Sequence, residues 1–218
     1  MSILPTTRTG QEVASHVKRQ FGDEAGVQIS DADILTWINS GQLEIADRNK
    51  VLKAVATTDV VAGQADYVLS NLSVMQIEAL HYNGGILRGY ELAQAQEHIN
   101  NITGGTGDAG PFTYPVLWYQ WGTTVTLWPT PAEGITNGLK IYYTKHPTDL
   151  SDLTATLALP DKYYNMICAW VLAKAYELDE DYQASENQMQ RFDLGLDLKS
   201  EEERTLRQIT YPTITIVE

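Results

Sequence analysis

The hydrophobic period of this chain changes twice along its 218 residues, and that limits the folds open to it. Apolar residues recur at helical spacing at both ends and alternate at strand spacing between them. At residues 9–22, Thr9 is placed to cap a helix while Glu12, three residues on, reaches back to the cap amide. Val13, Val17 and Phe21 then follow at i, i+4 and i+8. After the break "FGDEAG", Ser30 caps a second helix with acidic residues in its first turn, where the helix dipole favours them. Ile34, Ile38 and Ile45 form its apolar face, with Leu35 and Trp37 beside them.

From about residue 51 the pattern alternates. "VLKAVATT", "ADYVLS", "VMQIEALHYNG", "VLWYQW", "TVTLWP" and "LKIYYTKH" are short β-branched or aromatic runs between Gly, Asn and Pro turns. "ELAQAQEHIN" (91–100) interrupts them as a short helix, and a flexible Gly-rich loop follows. The helical period returns after Leu159, with Pro160 and Asp161 at the helix start. Tyr164, Ile167, Val171, Ala175 and Leu178 make one stripe; beyond "DED", Tyr182, Ser185, Met189, Phe192 and Leu196 make another.

Two helices at each end with strands between imply that the ends come together. The pattern therefore predicts an α+β fold: a four-helix bundle formed by N- and C-terminal helix pairs (1–50 and 158–200), with an antiparallel β domain inserted at 51–157. A short helix and Gly-rich loop occupy 91–110 of that insertion. An extended tail, 201–218, is expected after the bundle, since Ile209, Tyr211, Ile214, Ile216 and Val217 are mixed with threonines. Pro212 confines such a segment to an edge position, so its expected partner is another chain.

The composition, 43% hydrophobic and 20% charged, suits one sizeable core or two modest ones. No apolar run approaches the roughly 20 residues of a membrane helix, and the N-terminal residues lack signal-peptide features. Folding in a cytoplasm-like compartment, away from membranes, is the expectation. One cysteine, Cys168, leaves no internal disulfide and reads as a small buried hydrophobe in its helix. His16, His81, His98 and His146 are dispersed without metal-ligand spacing. Gly105–Gly110 fits GxGxxG by letter but lacks the preceding strand and following helix of a dinucleotide site. "ELDEDYQASE" lacks the glycine turn and ligand spacing of a calcium loop. No nucleophile elbow, triad or metal motif stands in context, so no catalytic residue, cofactor or metal is expected. A net charge of −13 opposes tight binding to nucleic acid.

The densest aromatic stretch is "PVLWYQWGTTVTLWPTP", residues 115–131. Gly122-Thr123 fits a two-residue hairpin loop with Gly first. Pairing outward from it sets Trp118 opposite Leu127, Gln120 opposite Val125, Tyr119 opposite Thr126, Trp121 opposite Thr124 and Leu117 opposite Trp128. One face, Val116, Trp118, Val125 and Leu127, is an ordinary core. The other carries Leu117, Tyr119, Trp121 and Trp128, so something must cover it as well. A neighbouring subunit is one covering; a sugar ring stacked on Trp121 and Trp128 is the other.

Several of these stretches resemble the head-to-tail adaptor proteins of tailed bacteriophages. They are the capped helix pair ending "WINSGQLEIADRN", the strand "VVAGQADYVLS", "LWPTPAEGITNGLKIYYTKHPTDLS" and "LALPDKYYNMICAWVLAKAYELDEDYQASENQMQRF". The resemblance covers roughly residues 9–195, in order. It implies a non-enzymatic virion protein without cofactor, made in the host cytoplasm and placed in the neck. There it would form a homo-oligomeric ring, a dodecamer, beneath the portal protein. It would extend the DNA channel without binding DNA specifically and dock a downstream tail or nozzle protein. Trp121, Trp128, Tyr119, Ile209, Tyr211, Ile214 and Ile216 are the candidate interface residues. A carbohydrate-binding tail-fibre module using Trp121 and Trp128 is the alternative.

Overall fold

The structure, a computed structural model, describes residues 7–105 and 112–210, with side chains through 201. The described helices are α1 (Gly10–Phe21), α2 (Asp31–Asn49), α3 (Leu92–Thr103), α4 (Tyr164–Leu178) and α5 (Tyr182–Thr210). The described strands are β1 (Lys53–Val60), β2 (Asp66–Val68), β3 (Val74–Tyr82), β4 (Gly85–Tyr90), β5 (Leu117–Trp121), β6 (Thr124–Trp128) and β7 (Ile135–Lys145). Internal contacts divide the chain into two units, Met1–Val51 with Pro147–Glu218, and Leu52–His146.

The first unit is helical. Thr9 closes both halves of a capping box with Glu12, and Ser30 accepts the Asp33 amide at the head of α2. Between α1 and α2 the buried Asp23 carboxylate accepts the amides of Val27, Gln28 and Ile29, each at 2.8 Å. Those bonds, that of Ile29 foremost, hold its pKa below the usual carboxylate value. Asn39 both donates to and accepts from the Leu150 backbone, and Gln42 accepts the Ala158 amide, so α2 secures the segment leading into α4. Asp181, in the acidic run before α5, accepts the Ala184 amide as a helix cap.

The expected four-helix bundle with an antiparallel insertion is not what the chain forms. In a bundle each helix hides one stripe, whereas α4 buries Met166, Ile167, Cys168, Ala169, Val171, Leu172, Ala173 and Ala175, residues that run round its circumference. α1, α2 and α5 all pack on this enclosed helix, and Leu178, at the end of the expected stripe, is exposed. The first part of the expected extended tail is corrected as well: α5 continues to Thr210, so the backbone at Ile209 is helical, while residues 211–218 lie outside the described residues. Residues 201–210 hold enough Glu, Arg, Leu and Gln to sustain a helix.

The second unit is a curled, mixed sheet in the order β1-β7-β3-β4-β5-β6-β2. Neighbours pair antiparallel except β4 and β5, which run parallel. A parallel pair needs a crossover of a dozen or more residues, and α3 supplies it. The fold is therefore α+β with five described helices and a seven-stranded sheet. β4 was not among the sequence-predicted strands, although Asn83-Gly84, both at positive φ, form the tight turn that begins it. The concave side of the sheet holds Tyr67, Leu80, Leu87, Trp118, Val125, Leu127, Leu139 and Ile141.

Phe192 is fully buried, with its ring centroid 5.0 Å from that of Trp170 on α4. Phe192→Ala is expected to lower stability by about 3–5 kcal/mol. Denaturant melting that shows a loss below roughly 1 kcal/mol would remove Phe192 from the core.

Candidate interaction surface

The hairpin β5–β6 has the register expected from its loop, from Leu117 opposite Trp128 to Trp121 opposite Thr124. Gly122 takes a φ of 57° at the first loop position, where a side chain would be strained. Trp118, Val125 and Leu127 face the core. Trp118 lies against Gly89 of β4, which it meets in the parallel register.

The opposite, convex side is divided. Leu117 is only 1% exposed although it points away from the concave core. α3 packs on β5, buries Ala95, and stacks His98 on Tyr90 with centroids 5.1 Å apart. Phe112 sits edge-on to Trp128 at 6.1 Å. Tyr119 and Trp128 are half-buried at this covered end. The helix that interrupts the strands is therefore one of the missing coverings, and it belongs to the same unit.

The covering stops short of the hairpin tip. Trp121 is 71% exposed. Val68 of edge strand β2, 65% exposed, joins it through Thr124 in one lane across three strands. Sequence reasoning did not single out Val68; the alternation in "ADYVLS" marks it as outward only once Tyr67 is known to face inward. Tyr211, Ile214 and Ile216 lie outside the described residues, and of Ile209 only the helical backbone is described. The surface thus brings together Trp121 with Val68, places half-buried Tyr119 in the neighbouring lane with Asp66, and sets Trp128 apart at the covered end.

The helical unit carries a shallow cleft along α1, lined by Thr9, Gln11, Glu12, Ser15, His16, Arg19 and Tyr164. Its Tyr164 hydroxyl donates to the Glu12 carbonyl at 3.2 Å. Burial raises the pKa of this phenol and pushes the nearby Cys168 thiol up to about 12. Neither group is ionised at neutral pH, so neither is an activated nucleophile.

The SU10 adaptor protein family model matches residues 8–212. The chain belongs to the SU10 adaptor protein family. These are phage head-to-tail adaptors, and a structural adaptor family implies a non-enzymatic protein. No curated protein matches the adaptor chain. Among its described residues, no helix is long and apolar enough to cross a membrane.

Two substitutions separate core from surface. A Cβ at Gly89 would lie 2.7 Å from Cζ2 and 2.9 Å from Cε2 of Trp118, a rigid ring in a packed core. Gly89→Ala is expected to cost about 1–3 kcal/mol, and Trp121→Ala no more than about 0.5 kcal/mol. Equal losses on melting would contradict the division of the hairpin into packed base and bare tip.

Proposed function

We propose that the adaptor assembles as a ring, a dodecamer, beneath the portal protein in the virion neck, extends the DNA channel, and provides the surface on which the tail docks. Family membership and the bare hairpin tip support this reading. Large exposed apolar side chains in a row mark interaction sites, and Trp121 with Val68 is such a row. A chain with a net charge of −13 also suits a channel wall, because like charge keeps DNA from adhering as it passes. Residues 211–218, with Tyr211, Ile214 and Ile216 as anchors, are assigned to attachment at the portal.

The geometry disfavours the carbohydrate alternative. Trp121 lies four strand rises from Leu117, the pairing level of Trp128, a span of about 14 Å. Phe112 stands edge-on at Trp128, so the two indoles form no shared flat platform for a sugar ring.

The test is co-sedimentation of the chain with its portal. The wild type enters a complex; Trp121→Ala melts like the wild type but enters poorly, and removal of residues 211–218 weakens attachment. Free chain leaves duplex DNA unshifted at micromolar concentration near physiological salt. Normal co-sedimentation of both variants, or sub-micromolar DNA binding, would overturn the assignment.

A further inference from the structure

The sheet of residues 52–146 has a second bare patch on its convex side, beyond α3. Val55, Tyr142 and Ala79 form one lane across β1, β7 and β3. Lys140, His81 and Ile86 form the next across β7, β3 and β4. Val55 is 52% exposed and Ile86 74%. The His81 and Tyr142 rings lie 4.8 Å apart, and the Lys140 ammonium is 5.1 Å from the Tyr142 centroid. Among the described residues Lys140 has no carboxylate within ion-pair distance.

Charge differs between the two patches: β1, β3, β4 and β7 carry four cations against Asp59 and Glu78, of which Glu78 is paired with Lys53. All four basic residues of this unit, Lys53, Arg88, Lys140 and Lys145, stand on β1, β4 and β7. Strands β2, β5 and β6 carry a single charged side chain, Asp66, in the lane beside Val68 and Trp121. Two tips set face to face would oppose Asp66 to Asp66 with no cation near. Two copies of the other patch would oppose Lys140 to Lys140. Tip against patch places an indole and a carboxylate over a lysine, an imidazole and an isoleucine, so both charge and apolar area are matched.

We infer that the Trp121–Val68–Asp66 tip of one copy docks on the Val55–Tyr142–His81–Ile86–Lys140 patch of the next. The contact is heterologous: each copy donates one surface and receives on the other, the kind of interface that builds a ring when its rotation closes. The inference rests on the proposed ring and specifies its subunit contact.

Single-cysteine labelling tests it, because Cys168 is 2% exposed and its thiol is protonated at working pH. Val68→Cys and Ile86→Cys chains, mixed at high concentration with a short flexible bis-maleimide, are expected to give a mixed dimer well above either like pair. The double variant should give a ladder of higher oligomers. Asp66→Lys in the tip donor should lower the mixed yield on the order of tenfold, and Lys140→Asp in the receiver should restore it. Like-pair products, no dimer in any mixture, or no response to the charge swap would overturn the contact. Neck rings that assemble with Asp66→Lys would remove this contact alone; a chain that never enters the neck would remove the adaptor reading itself.

Discussion

Trp118 lies where Gly89 has no side chain, at the point where β4 and β5 pair in parallel, and a side chain at Gly89 would crowd that pairing. An alanine there would force the indole to shift within a core that also includes Val125, Leu127 and Leu87. Parallel pairing carries a topological consequence. The chain cannot return through a tight turn and must cross over through α3. α3 comes to rest on the convex side of β5, where it hides Leu117 and stops before Trp121. The bare tip is the part of this face that stays exposed beyond the helix.

The same crossover gives the convex side two separated patches instead of one. One bears Trp121, Val68 and Asp66; the other bears Tyr142, His81, Ile86 and Lys140. A surface with two unlike faces is suited to head-to-tail association, whereas a single self-complementary face leads to a closed dimer. A head-to-tail adaptor family fits a chain whose described chemistry lies in its surfaces. Its buried cysteine and the half-buried Tyr164 phenol beside it are protonated, and the acidic residues Asp23 and Asp181 hold backbone amides.

Much of this was legible from local patterns. The Thr9–Glu12 box, the Ser30 cap, the core position of Trp118 and the whole β5–β6 register follow from spacing and turn chemistry, which act over a few residues. What escaped depends on distant partners. β4 reads "GILRGY", with Gly at a strand position that only makes sense once Trp118 is known to lie over it. The parallel pairing, and with it the mixed sheet, has no local signature. The enclosure of α4 was hidden because an i, i+3, i+4 stripe can be drawn through any helix apolar on all sides, and "NMICAWVLAKAY" is one. At 201–210 the isoleucine and threonines suggested an extended segment, while the Glu-rich turns carry α5 on to Thr210.

A ring of this chain built through unlike surfaces, between portal and tail, has a definite appearance. Electron microscopy of the purified chain mixed with its portal can reveal it. The expected result is a closed ring of this chain on the tail-facing end of the portal, with the Trp121 tip of each subunit seated on the Tyr142 patch of its neighbour. Portal particles without added density, or a ring whose subunits leave Trp121 facing solvent, would contradict it.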